Sequence, residues 1–246
     1  MKFDVVEITN WVAPDDPGVK ILTMPNIPYP THGLAPRTIL GRTAWDVMRK
    51  RCYADAGYKC EICGAEGKMH AHELYDIDYE NQLVTFKRCV CLCPLCHLRC
   101  IHTGRALTLY KHNSPLMTKE ALLEGAEHCF KLIHEYNSTH RNSPPLRVFS
   151  AWMDYTKEKD LEKPMKELIK KYEISFYYVD KKWYDEDHWG KWRLKIGNKE
   201  HPTPYKDQGE WEVAMAKNNE TRKGEFQNPF TEDIFKRVEQ IIKEGF

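Results

Sequence analysis

The chain has 246 residues, with 37 Lys and Arg against 36 Asp and Glu and a hydrophobic content of 41%. That length can bury one large core or two modest ones, and the composition is globular rather than fibrous or disordered. A net charge of +1 removes any argument from gross charge, and no stretch approaches eighteen apolar residues, so neither a membrane-spanning helix nor a membrane partner is expected.

Residues 1–40 read as an extended arm. MKFDVVEITNWVAPDD has no apolar core of a signal peptide, which points to a cytoplasmic location, and MPNIPYPTHGLAPRT is too rich in Pro and Gly for helix. A helix is predicted from about Thr43 to Ala56, where Ala44, Val47, Met48 and Cys52 recur at helical spacing and Gly57 ends the run. The knuckle KCEICGAEG follows. KMHAHELYDIDYENQLVTFKRCVCLC then reads as two strands turning near Glu80 and Asn81. Strict alternation puts Leu83, Thr85, Lys87, Cys89 and Cys91 on one face of the second strand and Val84, Phe86, Arg88 and Val90 on the other.

The stretch from Cys96 to His102 suits a short helix. Thr118 to Tyr136 is an amphipathic helix capped by Thr118, with Leu122, Ala126, Cys129, Phe130, Ile133 and Tyr136 as its apolar stripe. STHRNSPPLR (138–147) reads as a linker between two domains. Beyond it the pattern is α+β: Pro164 opening a helix to Tyr172, strand-like ISFYYV and KWRLKIG, and a last helix from about Thr231 to Glu244. Trp152, Trp183, Trp189, Trp192 and Trp211 are read there as core residues.

Eight of the nine cysteines fall between residues 52 and 100, a local crowding unlike a secreted disulfide framework. Two CxxC pairs, Cys60–Cys63 and Cys93–Cys96, lie on either side of the expected hairpin. Each such turn presents two thiolates to one side, and together they supply the four sulfurs of a structural Zn²⁺. Cys52, Cys89, Cys91 and Cys129 are read as packed thiols. His70, His72, Glu73, His97 and His102 remain. A histidine on a strand and two on the following segment would meet, and three ligands with open positions suit a catalytic ion. His70 is assigned a supporting or solvated place. Residues 37–111 carry twelve Lys and Arg against eight Asp and Glu, compatible with a polyanion partner.

These motifs, in the order CEIC, AHELYDIDY, LCPLCH and IHTGR and preceded by PYPTHGLAPRTILG and a W-D-x-x-R helix, resemble the HNH (ββα-metal) endonucleases in their zinc-knuckle form, and more nearly still a phage-encoded group of them. The resemblance spans Pro28 to Arg105. It implies a zinc-stapled ββα-metal domain over 41–137; with the α+β pattern read beyond the linker as a second domain of open role over 147–246, the expected fold class is α+β. It also implies hydrolysis of DNA phosphodiesters, in the bacterial host cytoplasm if phage-encoded, with Mg²⁺ or another divalent ion held by His72, His97 and His102. By this resemblance Arg88, Arg99 and Arg105 are candidate phosphate contacts, and the second half of the chain is open to a homo-oligomer or a host protein. The chain departs from the family at three positions. Glu73 stands where the general-base histidine belongs, leaving Glu73, His72 and Tyr75 as candidates. Arg88 replaces the asparagine of the motif. His97 and His102 are five apart rather than four, which on a regular helix separates them by about 140°. A bulge or a substitute ligand such as Cys100 is then required. The remaining alternative is a zinc-stapled scaffold that binds DNA or a host protein without chemistry.

Overall fold

The computed structural model describes residues 3–15 and 18–221; the helix expected at Thr231 to Glu244 lies outside them. In chain order the described elements begin with β1 (Val5–Glu7), β2 (Asn10–Trp11), two 3-10 segments (Gly18–Thr23, Tyr29–Thr31) and α1 (Pro36–Asp55). The hairpin β3 (His70–Asp78) and β4 (Leu83–Leu92) follows, then a π-helical segment (Cys96–Ile101), α2 (Thr103–Lys111) and α3 (Lys119–Thr139). Next come β5 (Val148–Phe149), a 3-10 run (Ser150–Lys157), α4 (Lys159–Lys171), β6 (Phe176–Tyr178) and a 3-10 turn (Lys181–Tyr184). The chain continues through α5 (Glu186–Trp189), β7 (Arg193–Ile196), β8 (Lys199–Pro202) and α6 (Gln208–Thr221). The protein is a mixed α+β fold, and among the described residues no helix is long and apolar enough to cross a membrane.

Five strands form one sheet in the order β2-β3-β4-β7-β8, and three form a second in the order β1-β6-β5. The arm is therefore not a loose cover. Its β2 pairs antiparallel with β3, and its β1 pairs parallel with β6. Strand β7 from the second half pairs parallel with β4, so the larger sheet crosses the expected boundary at 138–147. The core crosses it as well: Phe130 on α3 packs edge-on against Trp152, their ring centres 5.2 Å apart.

Several helices end where their sequences indicate. The Thr118 hydroxyl accepts the Ala121 N–H at 3.3 Å, as a capping residue should. α1 extends further back than its periodicity suggests, but Gly41 breaks it with φ +83°, and Val47 points outward. Pro164 sits inside α4 rather than at its start, because Asp160 and Glu162 already favour the first turn.

The hairpin differs most from the sequence reading. Leu74 opposes Arg88 and Tyr75 opposes Phe86, so Lys87 is an extra residue on β4. Such a bulge reverses which face later side chains take. Val84, Phe86, Cys89 and Cys91 consequently share the face covered by α1, while Val90 and Leu92 join Leu74 on the face covered by α3. Strict alternation placed Cys89 and Cys91 opposite Val84 and Phe86, and the bulge corrects that.

Candidate metal centres

The first knuckle is built by its own backbone. The Cys60 N–H donates to Ala65 O at 2.9 Å and the Gly64 N–H returns to Cys60 O at 2.8 Å. Gly64, at φ +72°, makes the turn possible. Glu61 then fastens the knuckle to β4. Its N–H donates to Cys91 O at 2.8 Å, and its carboxylate accepts the Cys91 N–H at 2.6 Å. The second knuckle begins as β4 ends, and the Cys96 N–H points at Cys93 Sγ at 3.5 Å.

The sulfurs of Cys60, Cys63, Cys93 and Cys96 all lie within 4.8 Å of one another. Cys63 and Cys93 Sγ are 3.8 Å apart. Four thiolates about 2.3 Å from one zinc would stand about 3.8 Å apart, so the donor set and its spacing fit that ion. Crowding of the sulfurs sets their protonation. The Cys60 thiol is pulled down, chiefly by the Cys96 thiol it accepts from, while burial pushes Cys63 up.

Sequence reasoning gave His128 no role. The fold brings it from α3 to the Cys96 sulfur, Nε2 to Sγ 3.4 Å. Its only sequence signal was a place one residue from the buried stripe of α3, and that does not name a partner 32 residues away.

Six residues after Cys96 the chain completes a second cluster. His72, His97 and His102 bring ring nitrogens within 4.8 Å of one another, and His97 Nε2 lies 3.2 Å from His102 Nε2. The five-residue spacing is accommodated by a π turn. The His102 N–H donates to His97 O at 3.3 Å, five residues back, which widens the turn and returns His102 to the side of His97. Cys100 is no substitute ligand: its Sγ donates to Gly125 O at 3.4 Å.

Gly125 explains how α3 reaches this turn. A Cβ there would stand 2.5 Å from Arg99 Cβ and 2.9 Å from Arg99 O. A glycine within a helix costs about 1 kcal/mol relative to alanine, so its presence reflects the close approach.

Burial and mutual proximity set the electrostatics of the histidine cluster. His72 is only 5% exposed, and among the described residues neither of its ring nitrogens has a hydrogen-bond partner. Burial pulls His72 well below its ordinary value, with the neighbouring His102 and His97 adding to the effect. Burial likewise lowers His97 to about 3 and His102 to about 4, with Arg105 contributing to both. All three therefore present lone pairs at neutral pH. A buried imidazole with two orphaned nitrogens is costly unless something fills the site.

Not every residue assigned by sequence joins this cluster. Glu73 follows His72 on β3 and so points to the opposite face, toward α1. There burial raises its carboxyl, and its own backbone N–H and then Arg37, rather than a histidine, offset that effect. Tyr75 lies on that same face, 2% exposed and stacked edge-on with Phe86 at 5.9 Å. Of the three candidate bases, Glu73 and Tyr75 face away from the imidazoles, and His72 is one of the imidazoles itself.

Two of the three arginines are already engaged. Arg88 Nη1 pairs with the Glu61 carboxylate at 2.9 Å and donates to Cys89 O at 3.1 Å, bracing the first knuckle. Arg99 is ion-paired with Glu124 of α3. Arg105 is exposed and makes no ion pair among the described residues. It is the arginine whose charge reaches the histidines.

The chain matches no family model, no curated protein and no solved structure. Its functional reading therefore rests on the geometry of the two clusters.

Proposed function

We propose that this protein is a metal-dependent endonuclease of the HNH type acting on DNA. The observation that carries the reading is the His72, His97 and His102 cluster, set on a hairpin and the segment after it and braced by the adjoining four-cysteine knuckles. A divalent ion held there supplies Lewis acidity toward a phosphodiester oxygen. The donor set is imidazole alone, which suits Zn²⁺, Ni²⁺ or Co²⁺ better than the oxygen-seeking Mg²⁺. The orphaned nitrogens of His72 and the 3.2 Å approach of His97 to His102 support binding of such an ion. Arg105 is the phosphate contact, exposed beside the cluster and without a carboxylate partner among the described residues. Zn²⁺ at Cys60, Cys63, Cys93 and Cys96 is structural.

The test is cleavage of supercoiled plasmid by the zinc-loaded protein, with Mg²⁺, Mn²⁺, Co²⁺, Ni²⁺ and Zn²⁺ supplied in turn. Nicking is expected, and it should fall at least about 100-fold in His72→Ala and His97→Ala, since removal of a ligand removes the ion's contribution. Intact plasmid with every ion would end the catalytic reading.

A second reading is favoured by the orientation of Glu73. With that carboxylate and Tyr75 both turned toward α1, the scaffold would bind DNA or a host protein without cutting. Retention of a DNA duplex with no cleavage is the outcome that selects it.

A further inference from the structure

We propose that His70 is a positioning residue for the histidine cluster, holding His97 in the one tautomer that can ligate a metal. The inference rests on the metal-site reading above and adds a residue to it. His70 lies two positions before His72 on β3, on the same face, and its Nδ1 is 3.0 Å from His97 Nδ1. The rings stand nearly perpendicular, at 87°, with centres 4.9 Å apart. That contact occupies one nitrogen of His97, and the other, Nε2, faces His102.

The proton arithmetic of these rings has two solutions. A neutral imidazole carries one N–H and one lone pair. If the His97 proton sits on Nε2, it is spent on His102, and the remaining lone pair, on Nδ1, faces His70 rather than the other two ligands. If it sits on Nδ1, His97 donates to His70 Nδ1, and Nε2 turns its lone pair toward His72 and His102. Only the second arrangement ligates, and it requires His70 to accept at Nδ1, with the His70 proton on its own Nε2. Outer partners of this kind fix ring orientation and tautomer in metal sites, and their loss typically costs about 10–100-fold in affinity.

The test is titration of Co²⁺ into protein whose cysteine site is already filled with zinc, comparing wild type with His70→Ala and His70→Asn. Asparagine retains an acceptor close to the position of Nδ1. His70→Ala should weaken cobalt binding by about 10–100-fold while zinc content and melting temperature hold, and His70→Asn should recover most of the loss. In the cobalt- or zinc-loaded wild type, nitrogen NMR should place the His97 proton on Nδ1. Equal cobalt affinity in wild type and His70→Ala, or a proton on His97 Nε2 in the loaded protein, overturns the role of His70. A wild type that takes up zinc at the cysteines and no second ion overturns the metal-site reading and this inference with it. Tight second-site binding without plasmid cleavage removes the nuclease and leaves the role of His70 standing.

Discussion

The two clusters differ in how their ligands are delivered. The four cysteines come from two short turns, each with its pair at CxxC spacing and each organised by hydrogen bonds within a few residues. The three histidines come from a strand interior and from both ends of a π turn, and they meet only because β3, β4 and α3 are packed as they are. The sulfur site is local and makes its own geometry. The imidazole site is borrowed from the surrounding fold, and its orphaned nitrogens show what that placement costs. This difference teaches that one site should govern stability and the other should tolerate change while losing its chemistry.

The largest effect should come from the sulfur site. Cys93→Ser, or removal of zinc with a chelator, should abolish the cooperative thermal transition of the knuckles and hairpin. Structural zinc in small domains is worth about 10–16 kcal/mol, comparable to the whole stability of a domain. Circular dichroism melts with zinc analysis check this, and an unchanged melt would break the contrast.

Next in size is Gly125→Ala. The added methyl would meet Arg99, and overpacking of this kind costs about 1–3 kcal/mol. Because Arg99 lies within the π turn between His97 and His102, second-site metal affinity should fall together with the urea midpoint. A change in stability that leaves affinity untouched would separate α3 from the histidine geometry.

The last contrast, read as a slope rather than a loss of fold, is a pH dependence of the protein with its histidine site free of metal. The folded histidines sit low, His97 at about 3 and His102 at about 4, against about 6.5 when unfolded. Between these limits the unfolded chain binds more protons, so stability rises with pH from about 3 to about 6.5 and levels above it. His72→Leu removes one contributor and two unpaired buried nitrogens. The variant should match or exceed wild type in urea midpoint at pH 5, with a shallower pH slope and no second ion bound. A steeper slope would contradict the assignment.

Much of this was legible in the chain. The CxxC pairs, the hairpin with its turn, the Thr118-capped helix and the mixed α+β class follow from spacing and periodicity, which act over a few residues. His72, His97 and His102 were legible as a set through the order of the motifs. Their meeting was not, because five-residue spacing fits no regular helix until Gly125 lets α3 press against a π turn. The orientation of Cys89 and Cys91 turned on one unpaired residue, Lys87, and no hydrophobic pattern marks a bulge. Arg88 and Arg99 read as free cations because their partners, Glu61 and Glu124, lie 27 and 25 residues away.

The sequence by itself determined the ligand types and the local turns that present the sulfurs, because a CxxC knuckle is closed by hydrogen bonds within a few residues. Only the tertiary structure decided which charges are spent, which way Glu73 faces and how three histidines share one space. Those outcomes depend on register across a sheet and on the approach of one helix to another, distances that a chain acquires only by folding.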